Sequence, residues 1–147
     1  RTFILPEQDK RHRTVELKLN ALKETVEGKR VIVIDDSIVR GTTSKSRLGQ
    51  LRKAGAKEIH VRITCPPHRY PCYYGIDFQK KGELLAANRT LDEIQQFLNV
   101  ESLCYLSVEG MLSCATQPQN YFCNACFTSK YPTPIEEETK NLSVKKP

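Results

Sequence analysis

Between residues 31 and 34 the β-branched apolar residues Val31, Ile32, Val33 and Ile34 stand together. A short run apolar on both faces predicts an interior strand of a parallel sheet. Residues 57–64 alternate instead, with Ile59, Val61 and Ile63 set against His60, Arg62 and Thr64, which predicts a strand with one covered face and leaves His60 on its polar side. Helical spacing recurs around both. Val15, Leu19, Leu22 and Val26 line one side of residues 11–27 and Gly28 stops them; Leu48, Leu51 and Ala54 line residues 44–54 and Gly55 follows. Arg11, Arg13, Lys18 and Lys23 then fall on a solvated face. Thr90 and Glu93 form a capping box ahead of Leu91, Ile94, Phe97 and Leu98, which predicts a third helix. Residues 83–87 predict one or two helical turns, 102–107 a short buried strand holding Cys104, and 108–112 another turn. The order helix, strand, helix, strand predicts an α/β fold on a parallel sheet. Loops are expected over 1–10, 65–75 and 117–134. A disordered tail is expected over 135–147, with its three successive glutamates and terminal Lys-Lys-Pro. The organisation expected is a core with its ligand loop over 1–75, carboxyl-terminal helices with a cysteine segment over 76–134, and the tail.

The candidate chemistry lies directly after the first strand. Asp35 and Asp36 come at once, at the end of a parallel strand where ligands bind, and Ser37, Ile38, Val39, Arg40, Gly41, Thr42 and Thr43 lead into the next helix. Turn amides running into a helix N-terminus make an anion cradle; Gly41 lets the chain approach, and Ser37, Thr42 and Thr43 add hydroxyls. Two carboxylates beside such a site would repel an anion unless they meet its hydroxyl groups or a divalent cation. A sugar phosphate with Mg²⁺ suits both halves of the site. The plainer alternative is an acidic turn that only solvates the end of the sheet and caps a helix.

A length of 147 residues and 39% hydrophobic content suffice for one ordinary domain. No apolar run approaches a membrane span, and Arg1-Thr2-Phe3-Ile4 is neither a signal nor a start with methionine, so the expectation is a soluble, cytoplasmic piece of a larger protein. The formal charge of +6 comes from basic residues scattered among acids without aromatic interleaving, which argues against nucleic acid. A basic cleft for polyphosphate, or an acidic portion of a larger chain, explains the charge as well.

Of six cysteines, Cys65, Cys72, Cys104, Cys114, Cys123 and Cys126, only the last two have ligand spacing. Without a secretory signal, thiols at that spacing hold metal more often than they form disulfides. A lone Cys-x-x-Cys leaves three readings open: a redox pair, half of a zinc site, or half of an iron–sulfur site. Cys104, inside a strand pattern, reads as a small buried hydrophobe.

RTFILP, GKRVIVIDDSIVRGTTS, LRKAGAKEIHVR, YPCYYGID, ELLAANRT, LSVEG and CNACFTSKYP together resemble the carboxyl-terminal part of the glutamine phosphoribosylpyrophosphate amidotransferases, over nearly the whole chain. The resemblance implies a type I phosphoribosyltransferase fold with a small carboxyl-terminal helical and loop segment. It also implies formation of 5-phosphoribosylamine from phosphoribosyl pyrophosphate (PRPP) and glutamine-derived ammonia, the first committed step of purine synthesis. Residue by residue, Asp35 and Asp36 match acids that meet the ribose hydroxyls and Mg²⁺, and residues 38–43 match the 5-phosphate loop. Cys72, Cys123 and Cys126 match three ligands of a [4Fe–4S] cluster whose fourth precedes Arg1. Residues 1–8 resemble the end of a mobile loop over PRPP, which brings Arg1 within reach of pyrophosphate. Implied partners are PRPP, glutamine or ammonia, and further copies of the full-length enzyme, with neither nucleic acid nor membrane. The glutaminase domain of the family is absent from this sequence, so this chain alone is expected to be incomplete and inactive.

Two other readings compete. A non-catalytic PRPP-binding regulator built on the same loop predicts a helix-turn-helix or basic segment and no metal cysteines. A zinc-stabilised binding module predicts four paired cysteines.

Overall fold

The computed structural model describes residues 23–135 apart from Gln79. Most of the helix expected over 11–27, the residues near Arg1 and the expected tail from 136 onward lie outside the described residues.

Strand β1 (Arg30–Asp35) follows a short helical turn, α1 (Lys23–Val26), and leads to helix α2 (Thr42–Lys53) and strand β2 (Glu58–Ile63). Two 3-10 turns (Lys81–Glu83 and Leu85–Ala87) stand where one or two helical turns were expected. Helix α3 (Leu91–Leu98), strand β3 (Ser102–Tyr105), helix α4 (Val108–Ser113) and, after a further 3-10 turn (Gln119–Tyr121), helix α5 (Ala125–Thr128) complete the order. Among the described residues the strands form a parallel sheet in the order β1-β2-β3, with Val33 opposite Val61 and Val61 opposite Leu103. Each step to the neighbouring strand moves in the same direction through one helix. Right-handed crossovers therefore put α2 and α3 on the same face.

That face holds the core. Ile59, Val61, Ile63 and Leu103 point into it and meet Leu48 of α2, Ile94 and Leu98 of α3, and Leu85, Ala86 and Ile38 from the connections. The Thr90 hydroxyl accepts from the Glu93 N–H while the Glu93 carboxylate accepts from the Thr90 N–H at 2.7 Å, so the capping box forms as the sequence predicts. On the opposite face His60 meets Ser102 Oγ at 2.9 Å and Glu58 Oε2 at 3.1 Å, a strand-surface role.

Three expectations are corrected. β1 is not enclosed: among the described strands it lies at the edge, with Val31 and Val33 against the core and Ile32 and Ile34 exposed at 67% and 71%. A β-branched run fixes the strand, but whether both faces are covered depends on what packs there. Cys104 is exposed, because Leu103 takes the inward position on β3 and a pleated strand sends its neighbour outward. Leu91, at the first turn of α3, is also exposed. Among the described residues no helix is long and apolar enough to cross a membrane.

Candidate functional site

The carboxyl ends of the strands meet around Asp35. Its backbone carbonyl accepts the Thr64 N–H at 3.0 Å, which carries the β1–β2 ladder one step past the strands. Its side chain accepts the Asp36 N–H on Oδ1 at 3.1 Å and lies 3.7 Å from the Arg47 guanidinium through Oδ2; the Ser37 hydroxyl donates to Asp36 Oδ1 at 3.1 Å. Both carboxylates keep lone pairs toward solvent, since an ionised carboxylate has about four acceptor sites.

Beyond them the loop turns sharply into α2. Ile38 is 1% exposed and plugs the loop into the core, and Gly41, at φ +79°, is the N-cap of α2 in left-handed backbone. A Cβ at Gly41 would stand 2.7 Å from Leu85 Cδ2 and 3.1 Å from Phe97 Cε1, so glycine is required by backbone and by packing together. No side chain caps α2 and no acid stands in its first turn, which leaves the first N–H groups of a 12-residue helix free for an anion. Lys45 and Arg89 add positive charge nearby, each over the Phe97 ring at 4.2 and 4.7 Å.

The loop rests on a second segment. Leu85 N–H donates to the Val39 carbonyl at 2.9 Å, while Arg40 donates through Nε to Glu83 Oε2 at 2.8 Å, with Nη2 2.7 Å from the same oxygen. Glu83 lies 43 residues along the chain from Arg40, and nothing local in the sequence signals either Glu83 or Leu85 as a partner of the loop.

Cys65, Cys72, Cys123 and Cys126 come near one another at a neighbouring corner, whereas Cys104 lies on β3 and Cys114 follows α4. Arg69 and Tyr70 both donate their N–H to the Cys126 carbonyl at 3.0 Å, and Tyr131 Oη donates to the Pro71 carbonyl at 2.8 Å, which fastens the loop after β2 to the segment bearing Cys123 and Cys126. His68 is buried between Phe78 and Phe127, with ring centroids 5.0 and 4.9 Å away. Burial lowers its pKa, against the upward pull of Asp36, and its Nδ1 has no partner. Burial, then the charges of Asp36, Cys126 and Asp35, pushes the Cys65 thiol up to about 11. Burial pushes Cys126 up to about 11 as well, followed by the charge of Cys72 and, more weakly, of Cys123. Tyr105, raised to about 12 by burial and then by Cys65, has a buried hydroxyl without a partner. Cys65 and Tyr105 carry no motif that would single them out. Cys72 and Cys126 are half-buried and Cys123 is exposed; Cys114 is exposed. Among the described residues no three His, Cys, Asp or Glu side chains are grouped closely enough to hold a metal ion.

No family model matches the chain. An amidophosphoribosyltransferase of Methanocaldococcus jannaschii is 51% identical over 138 residues, 94% of this chain and 29% of that protein. One of Synechococcus elongatus is 49% identical over 98% of this chain and 29% of its own length. A solved structure described as the allosteric regulatory enzyme of purine biosynthesis superposes with a TM-score of 0.75 at 49% identity, covering 92% of this chain and 30% of that one. This chain is a relative of the amidophosphoribosyltransferases. A second structure, the glutamine PRPP amidotransferase of B. subtilis complexed with ADP and GMP, has a TM-score of 0.74 at 48% identity over the same shares. The chain spans about 29% of the length of the curated amidophosphoribosyltransferases it matches. The α/β parallel sheet is the fold expected of a phosphoribosyltransferase.

Proposed function

We propose that this chain is the PRPP-binding part of an amidophosphoribosyltransferase, which joins ammonia from glutamine to C1 of the ribose. The observation that carries the reading is the run from Asp35 to Thr43. Two carboxylates with open lone pairs lie at one end, and at the other a left-handed glycine opens onto a helix N-terminus with no side-chain cap. In this reading the amides of Ser37, Ile38, Val39, Arg40, Gly41, Thr42 and Thr43, with the hydroxyls of Ser37, Thr42 and Thr43, receive the 5-phosphate. Asp35 and Asp36 accept from the ribose hydroxyls. Ammonia attacks C1, the bond from C1 to the pyrophosphate oxygen breaks, the oxygen keeps the electron pair, and the new amine gives up a proton. The residues of this chain contribute orientation, holding ring and phosphate while the leaving group departs. Mg²⁺, when bound beside Asp35 and Asp36, neutralises charge on the pyrophosphate.

In the complete protein, Asp35→Asn and Asp36→Asn should each weaken calorimetric PRPP binding in Mg²⁺ by about tenfold or more, since each removes charge-assisted hydrogen bonds. Unchanged affinity and unchanged phosphoribosylamine formation in both variants would overturn the reading. PRPP binding by a wild type that makes no phosphoribosylamine from PRPP with either glutamine or ammonia would favour a regulatory PRPP-binding protein.

The reading extends to an iron–sulfur centre held by Cys72, Cys123 and Cys126 with one further ligand. Two lines support it: backbone bonds from Arg69 and Tyr70 to Cys126 draw the Cys72 loop toward the Cys123–Cys126 segment, and Cys72 and Cys123 both stand near enough to Cys126 to add to the upward push that burial gives its thiol. A cluster would draw the thiols closer and deprotonate them. Anaerobically purified complete protein should then carry about four irons and four sulfides per chain, lost in Cys72→Ser and in Cys126→Ser. Stoichiometric zinc, or full iron retention in those variants, would refute it.

A further inference from the structure

Arg40 stands in the middle of the anion loop, where a guanidinium is the obvious partner for phosphate. Its side chain is already committed elsewhere. Nε and Nη2 meet the single oxygen Glu83 Oε2 at 2.8 and 2.7 Å, and Nη2 reaches the Asp77 carbonyl at 3.5 Å. The carboxylate that holds it is itself held. Glu83 closes the 3-10 turn Lys81–Glu83, and the Asn88 amide donates to the carbonyls of Lys81, Gly82 and Leu84 at 3.3, 3.4 and 3.1 Å, tying that turn to the next one. Leu84, Leu85 and Ala86 then bury the segment in the core at 0%, 5% and 3% exposure. From this base three contacts reach the loop at successive residues: Leu85 N–H to the Val39 carbonyl, Glu83 to the Arg40 side chain, and Leu85 Cδ atoms against Gly41.

We propose that Arg40 is a positioning residue and not a phosphate ligand: paired with Glu83, it anchors the anion loop to residues 80–88, so that the loop's amides and hydroxyls, and not its guanidinium, receive the ligand. This rests on the PRPP reading for the identity of the ligand but not for the anchor itself. An anchored loop has its amides convergent before the ligand arrives, so binding does not have to order it. A guanidinium neutralised by Glu83 also leaves the cradle selective for an anion that fits the amides, because a free arginine would attract any phosphate as a charge.

The two roles predict opposite effects at Glu83. If Arg40 were a ligand, Glu83→Gln would free it and PRPP would bind as well or better. If Arg40 is an anchor, Glu83→Gln and Arg40→Gln should each weaken PRPP binding to a similar extent, by about three- to tenfold, and the double variant should be no worse than either alone. In the complete protein the loss should fall on the KM for PRPP with kcat nearly kept, and Arg40→Lys should recover part of it. Both side chains are partly exposed, so the variants should fold with melting temperatures close to wild type. Hydrogen exchange of amides 37–41 in the ligand-free protein reads the anchor directly, and both single variants should exchange faster there. Unchanged exchange in both variants, multiplying losses in the double variant, or tighter binding in Glu83→Gln would overturn the proposal. A wild type with no PRPP affinity, whose loop nevertheless exchanges faster in both variants, would keep the anchor and remove the PRPP reading.

Discussion

Gly41 shows how a single position can be set by two constraints at once. Its φ of +79° already strains an L side chain, and the space for a Cβ is filled by Leu85 at 2.7 Å. Gly41→Ala should therefore cost about 2 kcal/mol or more in chemical denaturation, combining left-handed strain with overpacking. The effect should appear in folding as well as in ligand binding, which differs from what a purely solvent-facing loop glycine would give. Asp35 and Asp36 were legible as a pair because adjacent acids at a strand end repel each other and any nearby anion unless a ligand or cation meets them. His68 was not, because its role comes from Phe78 and Phe127 closing on it from elsewhere in the chain. Burial holds His68 neutral, with its folded pKa below the ordinary 6.5. At pH above 6.5 it is neutral folded or unfolded and stability is unaffected; as pH falls below 6.5 the unfolded chain takes up the proton first and stability drops. His68→Phe should flatten that part of the pH–stability curve measured by urea titration.

At the scale of elements, α3 is the case in which local sequence fixed local structure. Thr90 and Glu93 sit three apart and satisfy each other's backbone amides, so Thr90→Ala should lose about 1 kcal/mol, read as a lower urea midpoint with an unchanged slope. The join between α2, β2 and β3 is instead a nonlocal knot. Glu101 Oε2 accepts the Ile59 N–H at 2.6 Å, and both Glu101 oxygens accept from Arg52 Nη2 at 2.9 Å. The Ile59 amide first, and the Arg52 guanidinium next, hold the Glu101 carboxyl below its usual range. A depressed carboxyl contributes stability above its ordinary pKa of 4.5 and loses it as pH falls through the lower folded value. Glu101→Gln should cost about 1 kcal/mol at neutral pH and reduce the acid sensitivity of unfolding, the figure being held down by the partial exposure of the pair.

At the scale of the whole molecule, the contacts among the described residues that join the cysteine-bearing segment to the loop after β2 include two amides on Cys126, Tyr131 on Pro71 and beside Tyr73 and Tyr74, Tyr74 paired with Thr133, and Phe127 on His68. Phe127→Ala should release it locally, seen as faster proteolysis within residues 114–133 while the sheet melts at nearly the wild-type temperature. The sequence by itself determined the strands, the helices α2 and α3, the parallel α/β class and the order of two acids, turn and helix from Asp35 to Thr43, because each depends on neighbours within a few positions: hydrophobic period, caps, and turn residues. Tertiary structure alone decided three things: that Ile32 and Ile34 stay exposed among the described residues, that Cys104 points outward, and that Arg40 turns to Glu83. Those outcomes depend on which distant segment arrives beside a residue. A side chain's period says which face it is on but carries no information about what, if anything, packs against that face.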